Sequence, residues 1–350
     1  MSLDRPEVYD RADPHRARAI LAAFPEQCRQ ALRLRPEPAR PCPRPRVVVV
    51  AGMGGSAASG DLLAACAADR LAVPVLVHRG YGLPAVADEH ALVIASSYSG
   101  ETAETLSAAE TALGRGCRVA VVTSGGRLGA LAGRQGLVRV AVPTGLMPRL
   151  ALGFLFFPLL AVLRLADLTV VKGDEVDEAL HVVGALASEL APARPAAANE
   201  AKRLALDIGD RLPVVYGGPV TGPAAYRWKT DFEENAKAFA VAGTLPEMNH
   251  NEIEAWSGPL ARQLHLVLLR DRGESAEIAR RFALVRELVG GAAGGVSEAW
   301  TRGTGLLARL LALLYLGQWT SFYLAVLRAV DPWPVPVLDA FKGRLAGGPR

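Results

Sequence analysis

The stretch Val47-Val-Val-Val-Ala-Gly-Met-Gly-Gly-Ser-Ala-Ala-Ser-Gly-Asp-Leu-Leu63 narrows the folds open to this chain more than any other. A continuous β-branched run has no polar alternation, so the strand it forms is buried on both faces, as in parallel sheets. The glycines that end the run, and the small residues after them, describe a turn into a helix. Leu92-Val-Ile-Ala-Ser-Ser-Tyr-Ser-Gly-Glu-Thr-Ala-Glu-Thr-Leu106 repeats this plan with hydroxyls in place of glycines. Further short strands are expected over 71–78, 118–123 and 137–142. Strands alternating with helices imply a doubly wound α/β sheet with right-handed crossovers.

The second half alternates in the same way but more loosely. Strands are expected at 212–216, 264–269 and 295–300, and helices at 275–289 and 306–330. Ahead of the first strand, helical spacing runs over 13–33 with Pro25 as a kink or restart. The Pro/Arg-rich run 34–46 reads as an exposed connector. Residues 167–200 are mostly helical and are broken by Ala191-Pro-Ala-Arg-Pro195. The expected organisation is therefore an N-terminal helical segment and linker (1–46), a first α/β subdomain (47–166), a helical connector (167–200) and a second α/β subdomain (201–350).

Composition sets limits on function. Half of the 350 residues are hydrophobic and 21% are charged, enough for a substantial core. A net charge of +4, dispersed along the chain, gives no nucleic-acid footprint. Cys28, Cys42, Cys66 and Cys117 show neither a CxxC nor a histidine at ligand spacing, so no metal site is expected and a reducing compartment fits. The N-terminus lacks an apolar signal core. Of two apolar runs, 150–163 is short and carries Pro158, and 306–330 is interrupted by Arg309, Gln318 and Arg328. Both read as core helices, with no membrane partner and a cytoplasmic location expected.

The polar chemistry gathers in four places. Gly52-Met-Gly-Gly-Ser56 lies where a strand hands over to a helix, so its N–H groups point outward at a positive helix end. Ser97, Ser99 and Thr102 hold the equivalent place in the next βα unit. Alone, either turn could be no more than a tight turn with a helix cap. Together, at strand ends of one sheet, they read as a phosphomonoester site. Arg149, in Val142-Pro-Thr-Gly-Leu-Met-Pro-Arg149, follows a rigid loop and precedes an apolar helix; it is either a pocket residue or a surface arginine. Finally, Asp231-Phe-Glu-Glu-Asn-Ala-Lys237 and Leu245-Pro-Glu-Met-Asn-His-Asn-Glu-Ile-Glu-Ala-Trp256 crowd acids and amides around Glu234 and His250. A helix is expected over 231–239, with Glu234 and Lys237 one turn apart. Glu234 could be an ordinary helix-pair residue and His250 a structural histidine. The polar groups expected on every side of His250 favour an acid–base pair instead.

Taken together, these motifs resemble the sugar-isomerase (SIS) superfamily, and within it the bifunctional phosphoglucose/phosphomannose isomerase family. The likeness starts at Phe24-Pro-Glu-Gln, runs through both turns and the Arg149 loop, and extends to Asp339-Ala-Phe-Lys342. The pairing of Glu-Asn-Ala-Lys with Asn-His-Asn-Glu is its specific part. The resemblance implies two SIS-type doubly wound subdomains, no cofactor and no metal, a phosphorylated sugar as partner, and a homodimer. It implies that Gly55, Ser56, Ser97, Ser99 and Thr102 hold the phosphate and that Glu234 moves a proton between C1 and C2. It implies that His250, contributed across the dimer interface, opens the sugar ring, that Arg149 steadies the enediolate, and that Lys342 assists at the ring oxygen or the C-terminal wall of the site. The implied reaction interconverts glucose 6-phosphate and mannose 6-phosphate with fructose 6-phosphate. The alternatives are an SIS isomerase of an amino or heptose sugar phosphate and a non-catalytic sugar-phosphate regulator. Two positions depart from the family pattern: Ala57-Ala58-Ser59 after the first turn, and Glu101, whose charge weakens a phosphate site unless it points away or pairs with a base such as Arg149.

Overall fold

The computed structural model describes residues 2–347. Its chain divides into two units: Ala23–Ala185 with Arg302–Ala312, and the described residues of Met1–Ala22, Leu186–Thr301 and Leu313–Arg350. Helices α1 (Glu7–Ala12) and α2 (Ala17–Ala22) belong to the second of these units, and α3 (Phe24–Arg33) opens the first. Pro25 lies in the first turn of α3. A missing N–H is harmless there, so the proline marks a restart, one of the two outcomes expected for it.

The first unit is built on β1 (Val47–Ala51), which is buried at every position, followed by α4 (Gly54–Ala67), β2 (Val75–His78) and β3 (Ala91–Ser96). Then come α5 (Ala103–Gly114), β4 (Arg118–Thr123), α6 (Gly126–Gln135) and β5 (Val138–Ala141). The strands form one parallel sheet in the order β2-β1-β3-β4-β5. The chain runs outward in one direction from β1 and in the other from β3, so the switch point lies between them. The turns carrying Ser56 and Ser97 leave the carboxyl ends of those two strands. Next, α7 (Leu152–Arg164) is buried along nearly its whole length, with Pro158 inside it, and α8 (Gly173–Glu189) follows.

The second unit carries α9 (Glu200–Ile208), β6 (Leu212–Gly217), α10 (Gly222–Ala236), β7 (Val241–Thr244), β8 (Leu264–Arg270), α11 (Ala276–Val289) and β9 (Gly295–Trp300). Its parallel sheet has the order β7-β6-β8-β9. The doubly wound plan therefore occurs in both units. One local expectation needs correction, and one strand had not been expected. The helix expected over 231–239 starts at Gly222 and stops at Ala236, because Pro223 sits in its first turn, where proline is compatible with a helix. The edge strand β7, only four residues long and carrying Gly243, had no sequence signal strong enough to announce it.

The last helices are α12 (Leu306–Leu327) and α13 (Pro336–Ala346). Among the described residues α12 alone is long and apolar enough to cross a membrane, but 94% of its most apolar window is buried inside the protein. It is a core helix, as the polar interruptions had indicated. In the second unit, the buried Lys202 ammonium donates to the Leu3 and Pro192 carbonyls, at 2.7 and 2.8 Å, and to Asp4 Oδ1 at 3.1 Å. These bonds hold the first residues of the chain in this unit.

His265 on β8 is 2% exposed, its Nε2 lies 2.9 Å from Ser297 Oγ, and that hydroxyl donates to Asp207 Oδ2 at 3.3 Å. Burial pulls the imidazole pKa down to about 4, against a weaker upward pull from Asp207. The unfolded chain therefore binds a proton near pH 6.5 that the folded chain refuses until about pH 4. Stability from this site is complete above pH 6.5 and is lost as pH falls toward 4. The loss is about 3 kcal/mol from this one group. Urea midpoints measured across that window should fall for the wild-type chain and fall less for His265→Gln. Parallel pH profiles would refute the assignment.

Candidate active site

At the end of β1 the backbone turns through Gly52 to Gly55 into α4. A Cβ on Gly52 would lie 2.8 Å from the Ser96 carbonyl oxygen, so the first turn abuts the end of β3. Ser56 is buried, and its Oγ accepts from the Tyr98 N–H at 3.3 Å, which leaves its own proton to turn toward a ligand. On the β3 side, Ser97 Oγ accepts from the Gly100 N–H at 3.1 Å and lies 2.9 Å from Thr102 Oγ1. Ser99 is exposed and accepts from the Glu101 N–H at 3.3 Å. This turn depends on Gly100 at φ +71, where a Cβ would stand 1.9 Å from the Gly125 oxygen. The structure thus brings the two hydroxyl-bearing turns into one bonded cluster at two helix N-termini, an arrangement suited to an anion.

The Arg149 loop joins this cluster. A Cβ on Gly55 would meet the Pro148 oxygen at 2.6 Å and the Arg149 nitrogen at 3.2 Å, so the first turn is pressed against the backbone of that loop. The Tyr98 hydroxyl donates to the Pro143 carbonyl at 2.8 Å and accepts from the Leu146 N–H at 3.0 Å. Burial pushes its pKa up, keeping it a neutral donor. From the other side, Gln27 donates to the Leu150 carbonyl and accepts from the Gly153 N–H, both at 2.8 Å. Arg149 is 2% exposed, so it is not a surface arginine. Tyr98 and Gln27 were missed as site supports. Their motifs had been noted, but nothing in the sequence tells which main chain a side-chain amide or phenol will bridge.

Glu101 finds its base, and it is Arg127. Arg127 donates through its backbone N–H to Oε1 and through Nε to Oε2, each at 2.9 Å. The carboxylate is drawn to the start of α6, where the helix end also favours negative charge.

The other implied groups belong to the second unit. Glu234 is half-buried in the last turn of α10. The helix is anchored by Trp228, whose Nε1 donates to the Leu313 carbonyl at 2.8 Å, and by the buried Arg227–Asp231 pair at 2.9 Å. Asn235 is also buried and donates to Ser321 Oγ on α12 at 2.9 Å. Glu233 pairs with Lys229 at 2.6 Å. Asp231, Glu233 and Asn235 are thus engaged in side-chain bonds within the second unit. Lys237 ends the helix at φ +50, a left-handed conformation that costs a non-glycine residue roughly 1–2 kcal/mol.

His250 lies in a short 3₁₀ turn, Glu247–His250, and is exposed. The expectation that polar neighbours surround its ring needs correction. Asn249 accepts from Arg281 at 3.3 Å and donates to the Met248 sulfur, while Asn251 caps the Glu252 N–H at 2.6 Å and donates to Glu247. These amides shape the loop, which buried Met248 and Trp256 fasten to the core. Trp256 Nε1 donates to the Tyr216 hydroxyl at 3.2 Å. Lys342 is exposed on α13. Among the described residues no group of three or more His, Cys, Asp and Glu side chains is placed to hold a metal ion.

Residues 197–345 match a family described as the bacterial phospho-glucose isomerase C-terminal SIS domain. The chain is 39% identical over 302 residues to a bifunctional phosphoglucose/phosphomannose isomerase of Caldicellulosiruptor bescii, covering 85% of this chain and 89% of that protein. A D-glucosamine-6-phosphate 4-epimerase of Sulfolobus acidocaldarius is 30% identical over 64% of this chain and 69% of its own. Among solved structures, a glucose-6-phosphate isomerase like protein from Thermus thermophilus aligns with a TM-score of 0.66. That alignment spans 98% of this chain and 99% of the other at 24% identity, a likeness of fold.

Proposed function

The chain belongs to the bifunctional phosphoglucose/phosphomannose isomerase family, and from that premise we propose that it interconverts glucose 6-phosphate and mannose 6-phosphate with fructose 6-phosphate. The observation that carries this reading is the 39% identity across most of both chains. The bonded cluster of the Ser56 and Ser97 turns with the Arg149 loop supports it.

The substrate phosphate takes the hydroxyls of Ser56, Ser97, Ser99 and Thr102 and the N–H groups at Gly55, at the positive ends of α4 and α5. His250 donates a proton to the ring oxygen while the C1 hydroxyl proton passes to water, so that the bond between C1 and the ring oxygen breaks and the C1 aldehyde forms, assisted by Lys342. Glu234 then removes the C2 proton of the open aldose. The C–H electron pair moves into a C1–C2 double bond, and the carbonyl oxygen becomes an enediolate. Arg149 stabilises that charge with a cation that does not titrate. Return of the proton to C1 from the same face, with the O2 hydroxyl proton passing to O1 as the C2 carbonyl forms, yields the ketose. Glucose and mannose 6-phosphates differ at C2 and share this intermediate after rotation about C2–C3, so one carboxylate serves both.

The reading extends to a homodimer in the cytoplasm, with His250 supplied by the partner subunit. The exposed imidazole and the exposed apolar face of α13, with Val337, Phe341 and Leu345, support the dimer. Four free thiols, at Cys28, Cys42, Cys66 and Cys117, fit a reducing compartment. A second reading, action on an amino-sugar phosphate, draws on the similarity to the glucosamine-6-phosphate epimerase.

A coupled assay with fructose, glucose, mannose and glucosamine 6-phosphates, run in EDTA, tests these readings. Isomerisation of the first three, undiminished by the chelator, is the expected result. No turnover of fructose 6-phosphate overturns the reading, and exclusive turnover of the amino sugar establishes the second. Tight binding without any turnover would make the protein a regulator.

A further inference from the structure

Lys237 stands one turn from Glu234 and closes the Glu-Asn-Ala-Lys motif, with no role assigned to it by the sequence. In the structure its ammonium meets main chain. Nζ donates to the Glu234 carbonyl at 2.7 Å, to the Asp331 carbonyl at 3.1 Å and to the Pro332 carbonyl at 3.5 Å. The first is one of the orphan acceptors at the C-terminus of α10, where a cation is favoured. The other two lie in the segment that links α12 to α13. That segment is held from its far side as well. Asp331 Oδ2 lies 2.9 Å from His15 Nδ1, Asp331 Oδ1 accepts from the Trp333 N–H at 2.9 Å, and the His15 and Trp333 rings stack at 5.9 Å.

The backbone at Lys237 supports a role beyond surface charge. A position at φ +50 closing a helix is ordinarily glycine or asparagine, and the lysine stays there despite the strain. The left-handed turn also lets the Ala238 N–H reach back to the Phe232 carbonyl at 3.2 Å. The Lys237 side chain itself folds back over the last turn of the helix, with its ammonium on the Glu234 carbonyl.

We propose that Lys237 is a positioning residue that clasps the last turn of α10 to the 331–332 segment, holding the Glu234 carboxylate in place for proton transfer and fixing the approach to the Lys342 helix. The role rests on the isomerase reading given above. The clasp has a distinct chemical consequence. A carboxylate free to swing between turnovers exchanges its captured proton with water before returning it, whereas a held one returns the substrate's own proton more often. A misplacement on the order of 1 Å slows proton transfer by up to ~10²-fold while leaving phosphate binding alone.

The test compares wild type with Lys237→Gly, Lys237→Asn and the control Lys229→Met, which removes a neighbouring lysine from the same helix. Glycine and asparagine both accept the left-handed backbone, so these variants delete the ammonium without adding strain. For both, kcat should fall about 10- to 100-fold with KM within twofold. Deuterium incorporation from D2O at C2 of the aldose formed from fructose 6-phosphate should rise, and amide exchange should quicken in peptides spanning 331–335. Lys229→Met should match wild type in all four readouts. Unchanged kcat and unchanged solvent exchange in Lys237→Gly overturn the proposal, as does unchanged amide protection over 331–335. A wild-type protein that isomerises none of the sugar phosphates overturns the underlying reading instead, so the two failures are told apart.

Discussion

Glu234→Gln should lower kcat for fructose 6-phosphate isomerisation by ~10²–10⁴ while leaving KM nearly unchanged. The amide keeps the size of the carboxylate and the helix keeps its anchors, because Trp228, Asp231 and Asn235 make their bonds without Glu234. What disappears is a group able to accept a proton and return it. A mutant with wild-type kcat would remove Glu234 from the reaction. The same variant reports on subunit sharing. Mixed with His250→Ala after denaturation and refolding, it should regain about a quarter of wild-type activity per site if the histidine serves the partner's site. Half of the dimers are then mixed, and one site in each has both native groups. Restoration absent from the mixture would mean that each subunit uses its own histidine.

Gly55→Ala should lower kcat/KM by about 10²-fold, although it adds one methyl group and removes no polar atom. That methyl would sit 2.6 Å from the Pro148 oxygen and 2.9 Å from the carbonyl carbon, both of them backbone. Backbone held by Tyr98 on one side and Gln27 on the other gives way less readily than a side chain would. Either the phosphate turn or the Arg149 loop must shift, and both are assigned to the substrate. Gly114→Ala is the matched control, since a Cβ there meets nothing within 4 Å. Melting temperatures of both variants separate misplacement from unfolding. Wild-type kcat/KM in Gly55→Ala would show that the turn and the loop do not act as one unit.

Much of the fold was legible before any coordinates. The uninterrupted valines of β1 and the apolar runs of β3, β4 and β8 can only be buried parallel strands, and glycine or serine at their ends marks the turns. The places where reading failed share a cause. Residues 222–230 carried no assignment, and they form the first part of α10 with Pro223 in its first turn, where a proline is tolerated. β7 exists because β6 offers it an open edge, from Val214 to Gly217, and four residues with a glycine would not form a strand unaided.

For the site, residue types and their neighbours in sequence named Ser56, Ser97, Arg149, Glu234 and His250. Spacing could not say where each side chain points. Glu101 and Arg127 are 26 positions apart and pair through the packing of one turn on the next. Gln27 reaches Leu150 across 123 positions. Asn249 and Asn251, which flank His250 in the sequence, turn to Arg281 and Glu247 and leave the imidazole exposed. The sequence by itself determined the two parallel sheets and the glycine- and hydroxyl-bearing turns at the ends of β1 and β3, and it put forward Glu234 and His250 as candidate acid–base groups, because those follow from periodicity and residue chemistry within a few positions. Only the tertiary structure decided what holds them: Gly55 under Pro148, Tyr98 under the Arg149 loop, and Lys237 across the end of α10. Those contacts join groups distant along the chain, and a hydrogen bond exists only where folding has brought donor and acceptor within about 3 Å.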